Sequence, residues 1–204
     1  MNRILIIFFF VSIAALSHAQ QQQWAFEMWH EGKIILEKGD TLKGLIKYDL
    51  QQDLVQFNAQ RGNVEAYAAR KVLFFEIFDK TVGQYRQFFS LPYSVNGSYR
   101  APVFFELVEE GKLTLLTREN LEYRSYSSPY YYGSYSRLVI VYKYFLLDEK
   151  GNISQFTIKK SELFNMMGRQ AQDVEDYMKE NKLKIEDRYD LAKIVAYYNS
   201  FFKT

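Results

Sequence analysis

The chain has 204 residues, with 26 basic against 24 acidic side chains and no cysteine. The missing cysteine excludes disulfides, thiol nucleophiles and thiolate metal sites. The near-neutral, scattered charge leaves no basic stripe for nucleic acid or an anionic membrane. Hydrophobic residues make up 48% of the chain, and a chain of this size buries roughly 70% of the surface its unfolded form exposes, so a disulfide-free fold is reasonable.

In chain order, the first element is a targeting signal. Arg3 precedes Ile4 to Leu16, which is apolar apart from Ser12, and Ser17-His18-Ala19 places small residues where a signal peptidase reads. Cleavage is predicted between Ala19 and Gln20. A run of thirteen residues falls short of the roughly 20 that cross a bilayer, and no later segment is long and apolar enough. The mature protein is therefore expected to be exported, periplasmic or secreted, and soluble. It is not expected to be a lipoprotein, because no cysteine stands at the cleavage site to take a lipid. Residues 20–160 read as an antiparallel β domain and 161–204 as a helical segment packed on the sheet.

Gln20 to Gln23 is polar, and Trp24 to Trp29 opens the β-rich region. KIILEKGDTLKGLIKYD predicts a hairpin turning at Lys38-Gly39-Asp40, with Leu42, Ile46 and Tyr48 on one face. Gly44 inside its second arm predicts a bulge or sharp bend. Leu54 to Ala59 alternates in the same way and turns at Arg61-Gly62-Asn63. Val72 to Asp79 is apolar on both faces apart from Glu76 and Asp79, which predicts a central strand packed on both sides. Gln84 to Leu91 is its expected partner, and Pro92 to Pro102 reads as a loop. Phe104 to Glu119 predicts a hairpin about Glu110-Gly111. Arg137 to Lys160 predicts another about Glu149 to Asn152, whose first arm, Leu138 to Leu147, is expected to cross the middle of the sheet.

After Lys160 the period becomes helical. Ser161 is a candidate N-cap for a helix ending at Gly168. Val174, Tyr177 and Met178 mark a second helix, and Asp187 or Asp190 starts a third that carries Leu191, Ile194, Val195 and Tyr198. Strands first and helices last define an α+β class: an antiparallel meander, as a curved sheet or small barrel, followed by two or three C-terminal helices.

The chemistry available is narrow. His18 leaves with the signal, so His30 is the one imidazole expected in the mature chain. It has no ligand-spaced partner and reads as a partly exposed strand residue. Glu76 and Glu106 are acids within strongly apolar strands, where burial would raise their pKa and suit them to acid catalysis. The simpler reading turns each outward or pairs it with a lysine or arginine on a neighbouring strand. Asp148 to Asn152 lacks the spacing of a calcium loop and reads as a turn. Asp173 with Asp176, and Asp187 with Asp190, suit helix starts through the helix dipole. Gly-rich phosphate loops and a GxSxG elbow are missing. These residues call for no catalytic set, no metal and no cofactor.

Tyr123 to Arg137 holds six tyrosines among serines, one glycine and one proline, at the tip of a hairpin. Tyrosine supplies large amphipathic contact area with few rotatable bonds, and small neighbours let the backbone adapt. One reading is therefore a binding surface made by Tyr130, Tyr131, Tyr132 and Tyr135. The other is a mobile insertion, or rings folded back onto the sheet edge.

Four stretches, LEKGDTLKGLIKYD, FFELVEEGKLTLL, YFLLDEKGNISQFTIKKSELFNMM and DLAKIVAYYNSF with its Tyr197-Tyr198-Asn199, carry a resemblance. Through them the chain is similar to a group of uncharacterised secreted or periplasmic proteins of Bacteroidota-type Gram-negative bacteria. The resemblance implies an envelope location and no known activity, so no functional residue is carried over. The Tyr-rich tip lies outside the shared pattern. The expected function is an exported non-catalytic module that binds a protein or glycan of the cell envelope. A carboxylate-dependent hydrolase and a structural envelope scaffold without a small ligand are the alternatives. Nucleic acid is not an expected partner, and the oligomeric state stays open.

Overall fold

The computed structural model describes residues 24–59, 62–94, 99–127 and 134–202. The signal segment with Ala19 and Gln20, and the tip residues Tyr130, Tyr131 and Tyr132, lie outside the described residues. The strands are β1 (His30–Leu36), β2 (Thr41–Asp49), β3 (Leu54–Asn58), β4 (Val64–Ala68), β5 (Val72–Asp79), β6 (Gln84–Tyr93), β7 (Ala101–Glu109), β8 (Thr114–Ser127), β9 (Ser134–Leu147) and β10 (Ile153–Phe156). They form one open antiparallel sheet in the order β10-β9-β8-β7-β6-β5-β1-β2-β3-β4.

Connectivity requires that sheet to roll. Only the 3-10 turn Ala69–Lys71 links β4 to β5, yet β3, β2 and β1 lie between them in the sheet. Four strand spacings amount to about 19 Å when flat, whereas four residue steps reach at most about 14 Å. Rolling brings the ends within reach. Gly44 and its cross-strand partner Gly32 make room for it: a Cβ on Gly44 would lie 2.9 Å from the Phe57 ring, and one on Gly32 2.0 Å from the Glu76 carbonyl oxygen. Register runs unbroken through Gly44, so the expected bulge is not there. Register shifts fall instead at Ile35/Leu36, against β5, and at Leu107/Glu109, against β8.

Aromatic rings fill the roll. Phe75 stacks on Phe88 at 4.5 Å, and Phe104 meets Phe75 edge-on at 5.1 Å. The Tyr48 ring lies 5.8 Å from Phe104, although three strands stand between β2 and β7 in the sheet. Asp53, in the β2–β3 turn, completes the closure. The β7–β8 ladder begins at Glu106↔Thr117, which leaves the Phe104 N–H without a strand partner; it donates to Asp53 at 3.3 Å. Arg118 pairs with the same carboxylate at 3.3 Å, and the Tyr48 hydroxyl donates to it. Side chains thus close what the backbone ladder does not, giving a curved open sheet rather than a barrel.

Strands β8–β10 are covered instead by helices α1 (Lys160–Met167), α2 (Ala171–Glu180) and α3 (Arg188–Ser200). Leu115, Tyr144, Leu146 and Phe156 from the sheet pack with Leu163, Met167, Val174, Met178, Leu191 and Ile194 from the helices. The α2–α3 pair is tied by Tyr177 stacked on Tyr197 at 4.0 Å. Asn199 of α3 clamps the β7–β8 turn, accepting from the Leu113 N–H at 3.0 Å and donating to the Leu113 and Glu110 carbonyls. Gly111 is required there, since a Cβ would lie 2.3 Å from the Asn199 amide. Among the described residues, no helix is long and apolar enough to cross a membrane.

Four expectations change with these facts. Among the described residues, the outer face of β5 has no second layer: Leu73 is 49% exposed, and Phe74 stacks on Phe89 across the strands instead. β9 is the penultimate strand, and its apolarity answers to the helices above it rather than to a central position. Lys159, not Ser161, is the N-cap of α1, and Glu162 in its first turn accepts from the Thr157 N–H and hydroxyl. The predicted Pro92 to Pro102 loop is also shorter than expected, because Pro92 and Pro102 face each other as register partners in β6 and β7.

Candidate functional site

Where the roll meets the helix-covered half, the inward face of the sheet turns from rings to charge. Asp79 follows Phe75 and Ile77 in the inward phase of β5. Arg86 precedes Phe88 on β6, Glu106 follows Phe104 on β7, and Glu119 follows Thr117 on β8. Rolling brings all four together, and α3 adds Arg188 at its first turn. Arg86 Nε and Nη2 donate to the two oxygens of Glu106, each at 2.8 Å. Its Nη1 donates to Asp79 at 3.1 Å, and Nη2 also reaches Glu119 at 2.5 Å. Arg188 Nη2 donates to Glu106 at 2.6 Å, and its guanidinium lies 5.2 Å from the Tyr142 ring centre.

Burial would push all three acids up, since a carboxylate loses water there. For Glu106 the hydrogen bonds and charge of Arg86, with Arg188 behind, outweigh burial and hold the carboxyl below its ordinary range. Asp79 is likewise held low against burial, by the Thr81 hydroxyl and N–H and then by Arg86. Glu119 goes the other way: burial dominates, the Glu106 charge adds to it, and Arg86 only partly compensates.

A cavity of about 240 Å³ opens on this cluster, between the β5–β6 turn, the base of the β8–β9 hairpin and the start of α3. Glu119, Arg188, Tyr142, Ile140 and Thr81 line it, with Tyr189 at its rim. Asp187 also borders it, but its side chain caps α3, accepting from the Tyr189 and Asp190 N–H groups.

The two acids singled out in the sequence do not meet. Glu106 is the centre of the buried cluster. Glu76 occupies the opposite phase of β5, pairs with Lys33 at 3.0 Å and accepts from Gln87 at 2.7 Å. Gln87 first, and then Lys33, hold its carboxyl low. Both acids thus have cationic partners on neighbouring elements. His30 is buried, at 2% exposure, where a partly exposed residue was expected. Its ring nitrogens face the Ala25 carbonyl at 2.7 Å and the Phe78 carbonyl at 3.2 Å, so it pins the N-terminal 3-10 turn Ala25–Glu27 against β5. Arg86, Glu119 and Arg188 went unread in the sequence. The signal for the first two was a charged residue at an inward position of an apolar strand.

The second candidate is the outer part of the β8–β9 hairpin. From Arg118↔Lys143 to Ser127↔Ser134 the two strands pair with each other and, among the described residues, with no third strand. Ten residues per arm extend about 30 Å. Tyr123 is 77% exposed and Tyr135 60%, and Tyr126 stacks on Tyr135 at 5.6 Å. These rings do not fold back onto the sheet. Arg124 stands directly opposite Arg137, a like-charge pair that disfavours the ribbon on its own.

Compared with known proteins, the chain matches no family model, no curated protein and no solved structure.

Proposed function

We propose that the protein is an exported, non-catalytic binding module, periplasmic or secreted, whose β8–β9 ribbon takes a protein or glycan of the cell envelope. The observation that carries this reading is the ribbon itself: Tyr123, Tyr126 and Tyr135 are exposed on two strands with, among the described residues, no third strand beside them. Exposed rings of low conformational entropy, among serines, are the material of adaptable binding surfaces. The signal pattern at Arg3 to Ala19 and the resemblance to secreted proteins of Bacteroidota-type bacteria support the location. A carboxylate-dependent hydrolase needs two acids with free oxygens facing one space. Here Glu106 and Asp79 spend their oxygens on guanidinium and threonine donors, which favours binding over hydrolysis.

The test is capture from envelope extracts and on a glycan array. The mature protein is compared with a variant in which Tyr123, Tyr126, Tyr130, Tyr131, Tyr132 and Tyr135 are serine. Capture lost with an unchanged thermal melt is the expected result. Equal capture by both proteins would overturn the reading.

A further inference from the structure

The buried cluster is one positive charge short. Asp79, Glu106 and Glu119 have side chains 2%, 3% and 6% exposed, and the two guanidiniums of Arg86 and Arg188 face them. Buried charges require partners. Glu106 takes both guanidiniums, and Asp79 takes Arg86 and Thr81. Glu119 is left with one bond, from an Arg86 nitrogen already shared with Glu106. Its second oxygen has no hydrogen bond among the described residues, and the side chain lines the cavity.

The wall beside that carboxyl is aromatic. Tyr142 borders the cavity, Tyr189 stands at its rim, 59% exposed, and Ile140 and Val82 supply apolar surface. Carboxylate, ring faces and apolar walls together suit a cation with an alkyl stem. We propose that this cavity binds an organic ammonium ion, with its head between Glu119 and the tyrosine rings and its stem along Ile140 and Val82. A volume of about 240 Å³ equals about eight waters at ~30 Å³ each, room for a group of lysine side-chain size. The site lies at the base of the β8–β9 ribbon, apart from the exposed Tyr123, Tyr126 and Tyr135, and does not depend on what those rings bind.

Besides Glu119, the charged and titratable groups around the head are Arg86 from β6, Glu106 from β7, Tyr142 from β9, Asp79 from β5, and Asp187, Arg188 and Tyr189 at the start of α3. Arg188 is directed at Glu106 and stacked on Tyr142, which leaves Glu119 as the group that gains from a new cation. Because burial holds the Glu119 carboxyl up, the ammonium must compete with a proton there. Binding therefore strengthens as pH rises.

The experiment is calorimetric titration of the full mature protein with n-butylammonium, using n-butanol as the uncharged isostere. Saturable binding of the ammonium, at least about ten-fold tighter than the alcohol, is expected, equal to about 1.4 kcal/mol. Glu119→Gln, close in shape and uncharged, is expected to abolish that preference and its pH dependence. Tyr142→Leu, which keeps the carboxylate, is expected to weaken the ammonium alone. Circular dichroism confirms that each variant is folded, and if one is not, the other carries the test. Nα-acetyl-lysine amide, titrated in parallel, assigns the site to a partner's lysine if it binds more tightly than butylammonium, and to a free amine otherwise. Equal binding of butylammonium and butanol, no binding of the ammonium, or an unaltered preference in folded Glu119→Gln would overturn the proposal. The serine ribbon variant is expected to bind butylammonium as the parent does, so this result and the ribbon result stand apart.

Discussion

Inside the roll the buried side chains include Tyr48, Phe57, Phe75, Phe88 and Phe104, whereas under the helices they are mainly leucine, isoleucine, valine and methionine. The contrast follows from what each region has to pack against. A sheet that closes on itself receives no second layer, so its own side chains must reach across the interior, and rings reach furthest. A helical layer brings its own side chains, so each partner spans only half the gap, and branched aliphatic chains interdigitate well. Turning a sheet inward and covering it with helices are two routes to one dry interior. The charged cluster sits where the routes meet, with Asp79 from the roll and Arg188 from the helices.

The comparison is broken most severely at that junction. Arg86→Met removes the shared guanidinium from three buried carboxylates, leaving Glu106 only Arg188, Asp79 only Thr81 and Glu119 no partner among the described residues. It is expected to cost about 3–5 kcal/mol, read by urea denaturation at pH 7. The loss should shrink in acid, as the carboxyls protonate. Truncation on either side tests whether the halves are independent. Phe75→Ala, in the roll, is expected to cost about 3–5 kcal/mol and Ile194→Ala, under the helices, about 2–4 kcal/mol. If the halves are energetically separate, the double variant matches the sum within about 0.5 kcal/mol. A larger discrepancy would mean that the cluster couples them. Asn199→Ala removes the clamp between α3 and the β7–β8 turn and is expected to cost about 1–3 kcal/mol. Amide exchange should then rise at Leu113.

The smallest effect is on pH dependence, and its sign differs within the cluster. Asp79 and Glu106 have folded pKa values below their ordinary 3.8 and 4.5. Their stabilisation is present above those ordinary values and is lost as pH falls through the folded ones. Glu119 has a raised pKa, so its contribution is present below 4.5 and is lost as pH rises through its folded value. Glu119→Gln is therefore expected to be slightly more stable than the parent at pH 7 and to lose the descending limb of the profile. A melt series between pH 3 and pH 8 distinguishes the two signs.

The local grammar of the fold was readable. Gly39, Gly111 and Gly151 mark hairpin turns where they were expected, Gly168 ends α1, and Asp187 caps α3. Pairing between distant segments was not. Nothing local in Val72 to Asp79 says that β5 joins the free edge of β1, because that choice is made by the short Ala69–Lys71 link and the roll it imposes. The candidate site suffered for the same reason. Glu106 was visible as an acid in an apolar strand, but its partners come from positions 86 and 188, and only the three-dimensional path brings them together. Arg86 sits two residues before a buried phenylalanine and Glu119 two after a buried threonine, so their inward phase was legible although their company was not. The tyrosine richness of the ribbon was visible in composition, but its strands run further than expected: Tyr123 and Tyr126 belong to β8, and Tyr135 to β9 opposite Tyr126, rather than to a loop.

The chain positions of the cluster members also set an order of assembly. Strands β1 to β5 come from one contiguous stretch, so a chain delivered from its N-terminus can begin to curl while its later part is still unfolded. Glu106 and Glu119 must wait for Arg188, more than sixty residues further on. Until that guanidinium arrives with α3, the acids stay hydrated and the β7–β8 edge stays open to water. Drying of the charged junction therefore requires α3 to be in place, whichever strands pair first.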